Sequence, residues 1–476
     1  MPTGAPPDAR AFRLGLAGIA LVTLWRLALL PFDTRDLFVD EAQYWFWGRE
    51  LAWGYYSKPP LIGWLMRLST AIGSDAPFWL RAPLPLIHAA TAVVVALIAR
   101  RLHGDRVGGI AGFGFATLPG VAVGSLLVST DTPMLLCFAL AMLAWVRLTE
   151  TRATRWAVVL GAAVGVGLLA KYAMIYFPLC ALLVVMAIPS MRIGRRNDLI
   201  AVLVALTVVA PNLVWNATND FTTLQHTADN ADWQGVRLDL AGLAEFLGGQ
   251  FAVAGPVFFA AYLVALLRRG GPRARFLALM SLPIFAIVSV QALVSGANAN
   301  WAAAGHLAAL VLAVALLAGR PRGLALALAL NLAVTAALPV AAAFADRWRV
   351  GGELVLARYV GQAALSQRAA DTARDAGLDT LVSGNRAMLA DFFYTLRDAR
   401  LAIYAEPVDG FPPHHYAQKH PLPPGPGDVL YVDDAAPACR TPEVTPVPVA
   451  AWTPEDGYRR KPVQAWRVAR ACWFPE

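Results

Sequence analysis

An aspartate and a glutamate stand side by side at positions 40 and 41. A single lysine follows in the run Tyr55-Tyr56-Ser57-Lys58-Pro59-Pro60. A carboxylate can take a proton from a reacting group, and a lysine ammonium is a compact point charge for an anion. Both lie in one stretch with Tyr44, Trp45, Trp47, Trp53 and Trp64. Aromatics at that density suit a helix lying at the headgroup level of a bilayer. An interfacial anchor alone would favour extra Lys and Arg. It has no need of an acidic pair followed by one isolated lysine. Four more ionisable residues, Arg26, Arg81, Asp131 and Lys171, fall in or beside long apolar runs, where a charge is a functional candidate by default. Asp131, in Ser-Thr-Asp-Thr-Pro, also fits a helix cap beside Pro133. Lys171 also fits a snorkelling side chain.

The elements that must hold these residues follow from composition. Of 476 residues, 58% are hydrophobic and 15% are charged, against about 25% charged in a soluble domain. Mean hydropathy is +0.52. A single water-soluble core, a disordered chain, a collagen-like fibre and a small disulfide scaffold are all excluded. Apolar runs long enough to cross ~30 Å of hydrocarbon as helices are expected at about 12–31, 79–99, 107–127, 132–148, 156–170, 172–190, 199–215, 246–267, 276–294, 301–318 and 323–343. Lys171 parts the fifth from the sixth. Ala11–Leu30 is too long for the apolar core of a cleavable signal peptide and reads as the first span. The expected fold class is an α-helical polytopic membrane protein with about eleven transmembrane helices and a small extracytoplasmic α/β domain.

Arginines set the expected orientation. Alternate loops carry Arg100, Arg101 and Arg106; Arg147, Arg152 and Arg155; Arg192, Arg195 and Arg196; Arg268, Arg269, Arg273 and Arg275; and Arg320 and Arg322. The short opposite loops around Ser129, Ser295 and Asn300 carry none. The positive-inside bias puts the first set and the N-terminus in the cytoplasm and the C-terminus outside. The net charge of +8 then needs no nucleic acid. Residues 1–343 hold 25 Lys and Arg against 16 Asp and Glu, and the remainder holds 15 against 16. The surplus is a topology signature.

Two outer segments exceed a connector: the first loop, 32–78, and the tail, 344–476. The tail predicts helices over Gln362–Ala376 and Asn385–Arg400, with Asn385 as N-cap. It predicts strands over Asp379–Val382, Leu401–Ala405 and Val429–Val432, and Pro-rich loops at 412–426 and 442–448. Cys439 and Cys472 are placed to form a disulfide in an oxidising compartment. Cys137 and Cys180 read as small apolar residues within spans. His414, His415, Tyr416 and His420 read as loop residues among prolines. Asp433-Asp434 has no metal-ligand pattern around it. His226, Asp229 and Asn230, and separately Asn298, Asn300 and Trp301, fall in outer loops that could meet an acceptor.

The acidic pair in the first outer loop, the Tyr-Tyr-Ser-Lys-Pro-Pro turn and the hydropathy profile resemble the C-type membrane glycosyltransferases. The likeness is to the protein O-mannosyltransferase-like group and the related lipid A aminoarabinose transferases. It covers roughly residues 10–320 and centres on 36–66. The resemblance implies transfer of a monosaccharide from a polyprenyl-phosphate carrier to an envelope acceptor on the outer face, such as lipid A, lipopolysaccharide core or an exported protein. It implies Asp40 as general base, Glu41 as its organising neighbour and Asp131 as a second acidic site residue. Lys58 would contact the carrier phosphate. Tyr55 would share its pocket, and Lys171 and Arg81 are further candidates for the donor. His226, Asp229, Asn298 and Asn300 are the acceptor-side candidates. No nucleotide is implied. In the aminoarabinose branch an acidic residue precedes Lys-Pro-Pro and can share a metal with a loop histidine. Ser57 stands there in this sequence, which weakens the case for aminoarabinose and leaves a divalent metal open. The expected partners are the carrier-linked donor, a glycolipid, glycan or protein acceptor, and the bilayer of a bacterial-type inner membrane. A lipid-linked substrate transporter or a glycan ligase is the alternative.

Overall fold

The structure is a computed structural model and describes residues 9–229, 238–453 and 461–474. Among these, six helical stretches are long and apolar enough to cross a membrane: Ala9–Phe32, Pro77–His103, Asp131–Thr151, Arg195–Thr218, Pro272–Ser295 and Pro321–Ala343. A seventh is counted if the bent pair Leu240–Ala254 and Pro256–Leu266 is one span. Leu199, Leu203, Leu206 and Val214 on Arg195–Thr218 are each more than half exposed, as lipid-facing side chains would be.

The expected eleven spans differ from this count where the chain breaks its helices. The run 107–127 divides into Asp105–Ala116 and Pro119–Gly124. Pro119 has no N–H to continue the ladder, and it disfavours helical backbone at Leu118. The run 246–267 bends by 111°. Gly255 adopts φ +85 there, which costs a glycine little, and Pro256 opens the next helix. Lys171 is extended (φ −159, ψ 134) and separates Thr154–Ala170 from the 3-10 turn at Tyr172–Ile175 and the helix Tyr176–Ala187. At ~1.5 Å per residue, a 12-residue helix covers only ~18 Å.

The described residues divide into two compact units. The first comprises the chain up to Pro31, Lys58–Ile62 and Arg81–Pro339. Its core is a continuous apolar cluster that includes Phe115, Phe138, Phe177, Phe258 and Phe276.

The second unit joins Phe32–Ser57 and Gly63–Leu80 to everything from Val340 onward. It opens with a small hairpin, β1 (Arg349–Val350) and β2 (Glu353–Leu354). Gly351 and Gly352 both have positive φ at its turn, as a tight two-residue hairpin requires. A five-stranded sheet follows in the order β4-β3-β5-β7-β6. Its strands are β3 (Thr380–Ser383), β4 (Ala402–Ala405), β5 (Asp428–Asp433), β6 (Val447–Trp452) and β7 (Val463–Ala469). β4, β3 and β5 are parallel; β7 runs antiparallel to both β5 and β6. The helix Gln362–Asp375 leads into β3, and the helix Arg386–Thr395 crosses from β3 to β4. That second helix ends five residues short of the expected Arg400, because Arg397–Arg400 are exposed and offer no apolar face. β6 begins inside the expected loop 442–448. Its Pro448 is tolerated because β6 is an edge strand with a register shift there. Cys439 and Cys472 are bonded, and Cys137 and Cys180 are free and buried.

Most of the loop 32–78 is a structural part of this second unit. Asp36 Oδ2 accepts from the N–H groups of Gly361, at 2.7 Å, and Gln362, at 2.9 Å, at the start of Gln362–Asp375. A carboxylate satisfies the orphan donors of a helix N-terminus and complements its dipole.

Candidate active-site residues in the two units

In the second unit, Asp40 and Glu41 lie in the first turn of the helix Val39–Arg49. Glu41 is fully buried, and its Oε2 accepts from Phe38 N–H at 3.0 Å. That is the returning half of a capping box; Phe38 has no side-chain oxygen to supply the other half. Asp40 is turned outward, with its side chain 41% exposed. Its carboxylate pairs with the Arg386 guanidinium, which donates from Nη2 to Asp40 Oδ1. Arg386 Nε donates to Gln43 Oε1 at 2.7 Å. Asp40 and Gln43 are three residues apart and so share a helix face.

Tyr55 is buried, and its ring stacks on Trp47 at 4.7 Å with the planes 2° apart. Its hydroxyl donates to Trp47 O at 2.8 Å and receives Ala52 N–H at 3.3 Å. Burial pushes its pKa up to about 12. The phenol is therefore committed to shaping the loop backbone.

The aromatic stretch does not lie as an interfacial anchor. Tyr44, Trp45, Phe46 and Trp47 are all buried. Trp45 meets Tyr394 edge-on, Phe46 packs against Phe393 and Tyr416, and Trp47 meets His415. Trp53 alone of the loop tryptophans up to that point stays exposed. Amphipathic spacing is the same whether the apolar face covers lipid or protein, so sequence alone could not separate the two. The tail histidines are likewise more than loop residues. His414 and His415 are buried, and His414 Nδ1 accepts from Ala417 N–H to start the short helix His415–Lys419. Burial depresses the pKa of His414, His415 and His420.

In the first unit, three sequence candidates meet. Lys171 Nζ lies 2.7 Å from Asp131 Oδ1, and Asn300 Nδ2 donates to Asp131 Oδ2 at 2.9 Å. Asp131 begins the helix Asp131–Thr151, so its charge also complements that helix N-terminus. The next residue, Thr132, hydrogen-bonds the buried His88 at 3.2 Å. Buried Gln250 joins His306 at 2.9 Å and donates to Ala299 O at 3.2 Å, which fixes the turn that carries Asn300. His88, Gln250 and His306 were passed over in the sequence. Their signal was a polar side chain inside an apolar run.

The remaining candidates are described one by one. Lys58 is half-buried just before the helix Leu61–Ile72, and Arg81 is fully buried. Arg26 is buried and donates to Ala116 O at 2.8 Å. His226 and Asp229 lie on the short helix Thr222–Asp229, and Asn298 is exposed. Asn230 lies outside the described residues. Among the described residues no group of three or more His, Cys, Asp or Glu could hold a metal ion.

Comparison with known proteins decides the family. The chain is 41% identical over 472 residues to the lipid A galacturonosyltransferase RgtD of Rhizobium johnstonii, a match covering 97% of this chain and 99% of that protein. It belongs to the C-type membrane glycosyltransferases. Residues 57–215 of this glycosyltransferase match the family described as dolichyl-phosphate-mannose-protein mannosyltransferase. Its fold is that of ArnT from Cupriavidus metallidurans. The apo structure of that protein matches at a TM-score of 0.63 and 16% identity, covering 97% of this chain and 98% of ArnT. The structure of the same protein bound to undecaprenyl phosphate matches at 0.63 and 15%, covering 97% and 99%. The glycosyltransferase is thus a multi-pass membrane enzyme whose tail is an α/β sheet domain.

Proposed function

We propose that this glycosyltransferase moves a galacturonosyl unit from a polyprenyl-phosphate carrier to lipid A. The observation that carries the reading is the 41% identity to a lipid A galacturonosyltransferase along 97% of the chain. The carrier is supported by the shared fold with a protein seen bound to undecaprenyl phosphate. The arginine-rich loops support a cytoplasmic N-terminus and an extracytoplasmic tail in a bacterial inner membrane.

The reaction needs one base and one cationic cradle. An acceptor hydroxyl attacks the anomeric carbon of the donor sugar. The new C–O bond forms as the bond to the carrier phosphate breaks, and a single displacement inverts the centre. The hydroxyl proton passes to Asp40, whose exposed carboxylate on a fixed helix suits a general base. The leaving polyprenyl phosphate gains charge, which Lys58 offsets as a point charge, with Arg81 as a second cation. Lys171 is paired with Asp131, and with Asn300 this pair braces the part of the first unit that carries it. Glu41 acts through its cap on the Asp40 helix, and Tyr55 through the loop backbone.

Mass spectrometry of lipid A from cells with and without the gene tests the reading. The expected result is one hexuronic acid residue per lipid A, lost on deletion and restored by the gene. Identical lipid A from both strains, with both substrates present, would sink it.

A further inference from the structure

We infer that Arg386 is the carboxylate-binding subsite for an acidic donor sugar, and that it selects a uronic acid over a neutral hexose. The inference rests on the galacturonosyl reading above and deepens it.

The argument begins with the guanidinium. Arginine carries five N–H donors in a planar fork. The Nε–H of Arg386 goes to Gln43, and one Nη2–H goes to Asp40. Among the described residues nothing accepts from Nη1. Both contacts use the same side of the fork. The other edge, formed by Nη1 and Nη2, is the one that matches a carboxylate bidentately. The side chain is 37% exposed, so a ligand can reach that edge.

The arginine is also held still from behind. It opens the helix Arg386–Thr395, and the Asn385 side chain caps that helix through Ala387 N–H at 2.9 Å. Gly384 N–H donates to Asp433 at 3.0 Å, and Asn385 N–H donates to Ser383 Oγ at 3.0 Å. His414 Nε2 lies 3.1 Å from Gly384 O. This backbone lies at the C-terminal ends of the parallel strands β3 and β5, on either side of which the chain continues in opposite directions through the sheet. Open α/β sheets place their ligand-facing loops at that point. In front, Gln43 is 1% exposed and cannot swing away.

Electrostatics supplies the reason for a cation here. A uronosyl donor brings a carboxylate and a phosphate towards the carboxylate of Asp40. Without a cation beside Asp40, the sugar carboxylate would be repelled. With Arg386 there, a neutral hexose leaves half a fork unfilled, and a galacturonosyl unit fills it. A site whose polar group is left unpaired by the wrong substrate discriminates strongly.

The test compares two synthetic donors, galacturonosyl- and galactosyl-phosphate polyprenol, on lipid A with the purified full-length enzyme. The wild type is expected to prefer the acidic donor. In Arg386→Gln both rates fall, because Asp40 loses its partner, but the acidic donor falls about 100-fold further, mainly through KM. Arg386→Lys restores part of the preference, since the charge returns without the fork. Residual galactosyl transfer in the same preparation reports that the variant is folded. If Arg386→Gln does not fold, Arg386→Lys alone still decides: an unchanged donor ratio overturns the inference. An equal fall for both donors in Arg386→Gln also overturns it and leaves Arg386 as a positioning residue. A wild type that transfers no uronic acid defeats the galacturonosyl reading itself, which the other two outcomes leave intact.

Discussion

Asp131–Lys171 in the first unit and Asp40–Arg386 in the second unit are both carboxylate–cation pairs, yet they are built for different work. The first pair is largely shielded, with side chains 13% and 20% exposed, and Asn300 occupies the second carboxylate oxygen. Each charge is answered within the protein. The second pair is 41% and 37% exposed, and its arginine keeps a bonding edge unfilled among the described residues. A closed pair holds elements together; an open pair leaves capacity for a substrate. This contrast supports the proposal of Asp40 for the chemistry and of Asp131 for the shape of the first unit.

Substitutions can break or sharpen that contrast. The largest effect is expected for Asp40→Asn, which keeps the shape of the side chain and removes the base. Its turnover should fall about 1000-fold at unchanged thermal stability. Loss of Lys58 as Lys58→Ala should come next, with a fall of about 100-fold as the departing phosphate loses a cation. The closed pair should behave differently. Asp131→Asn and Lys171→Met should each lower the melting temperature in detergent, and the double variant should lose less than the sum of the two. Additive losses would mean that the pair contributes nothing as a pair.

The smallest expected effects concern acid and base stability of the second unit, read by its unfolding across pH. Burial raises Asp391 to about 7 from 3.8. Between these values the folded state keeps a proton that the unfolded state has lost. The benefit is complete below the lower value and is lost as pH rises through the higher one. Asp391→Asn should therefore gain on the wild type as pH rises from 4 to 8. His415 has the opposite sign. Both of its ring nitrogens are buried without a hydrogen-bond partner, and its pKa is pushed down to about 3. Its contribution is present above pH 6.5 and is lost as pH falls towards 3. His415→Phe should shift acid unfolding of the second unit to lower pH, while an unshifted midpoint would show that His415 is not the group being charged.

The residues of the closed pair were legible in the sequence, because a charge in an apolar run is conspicuous. Lys171 even marked the break between two helices. Asp40 was legible through its acidic neighbour and the Lys-Pro-Pro turn. Arg386 was not: it sits 346 residues from Asp40, and a lone arginine at a helix start looks like ordinary surface. The same limit hid the burial of Tyr44–Trp47, since an apolar stripe does not reveal what covers it. The strands β3 to β5 stood out as apolar runs bounded by turn residues. β6 did not, because Pro448 within it and Pro446 before it read as loop. The breaks within the apolar runs were not legible, because hydropathy measures the length of an apolar run and not whether its backbone is continuous. Gly255-Pro256 and Leu118-Pro119 were the local signals.

The most direct test of the account is reconstitution of wild type and Asp40→Asn in liposomes with galacturonosyl-phosphate polyprenol and lipid A. The account predicts one hexuronic acid added to lipid A by the wild type, with polyprenyl phosphate released in equal amount, and almost none by Asp40→Asn. Transfer by Asp40→Asn at the wild-type rate would contradict it.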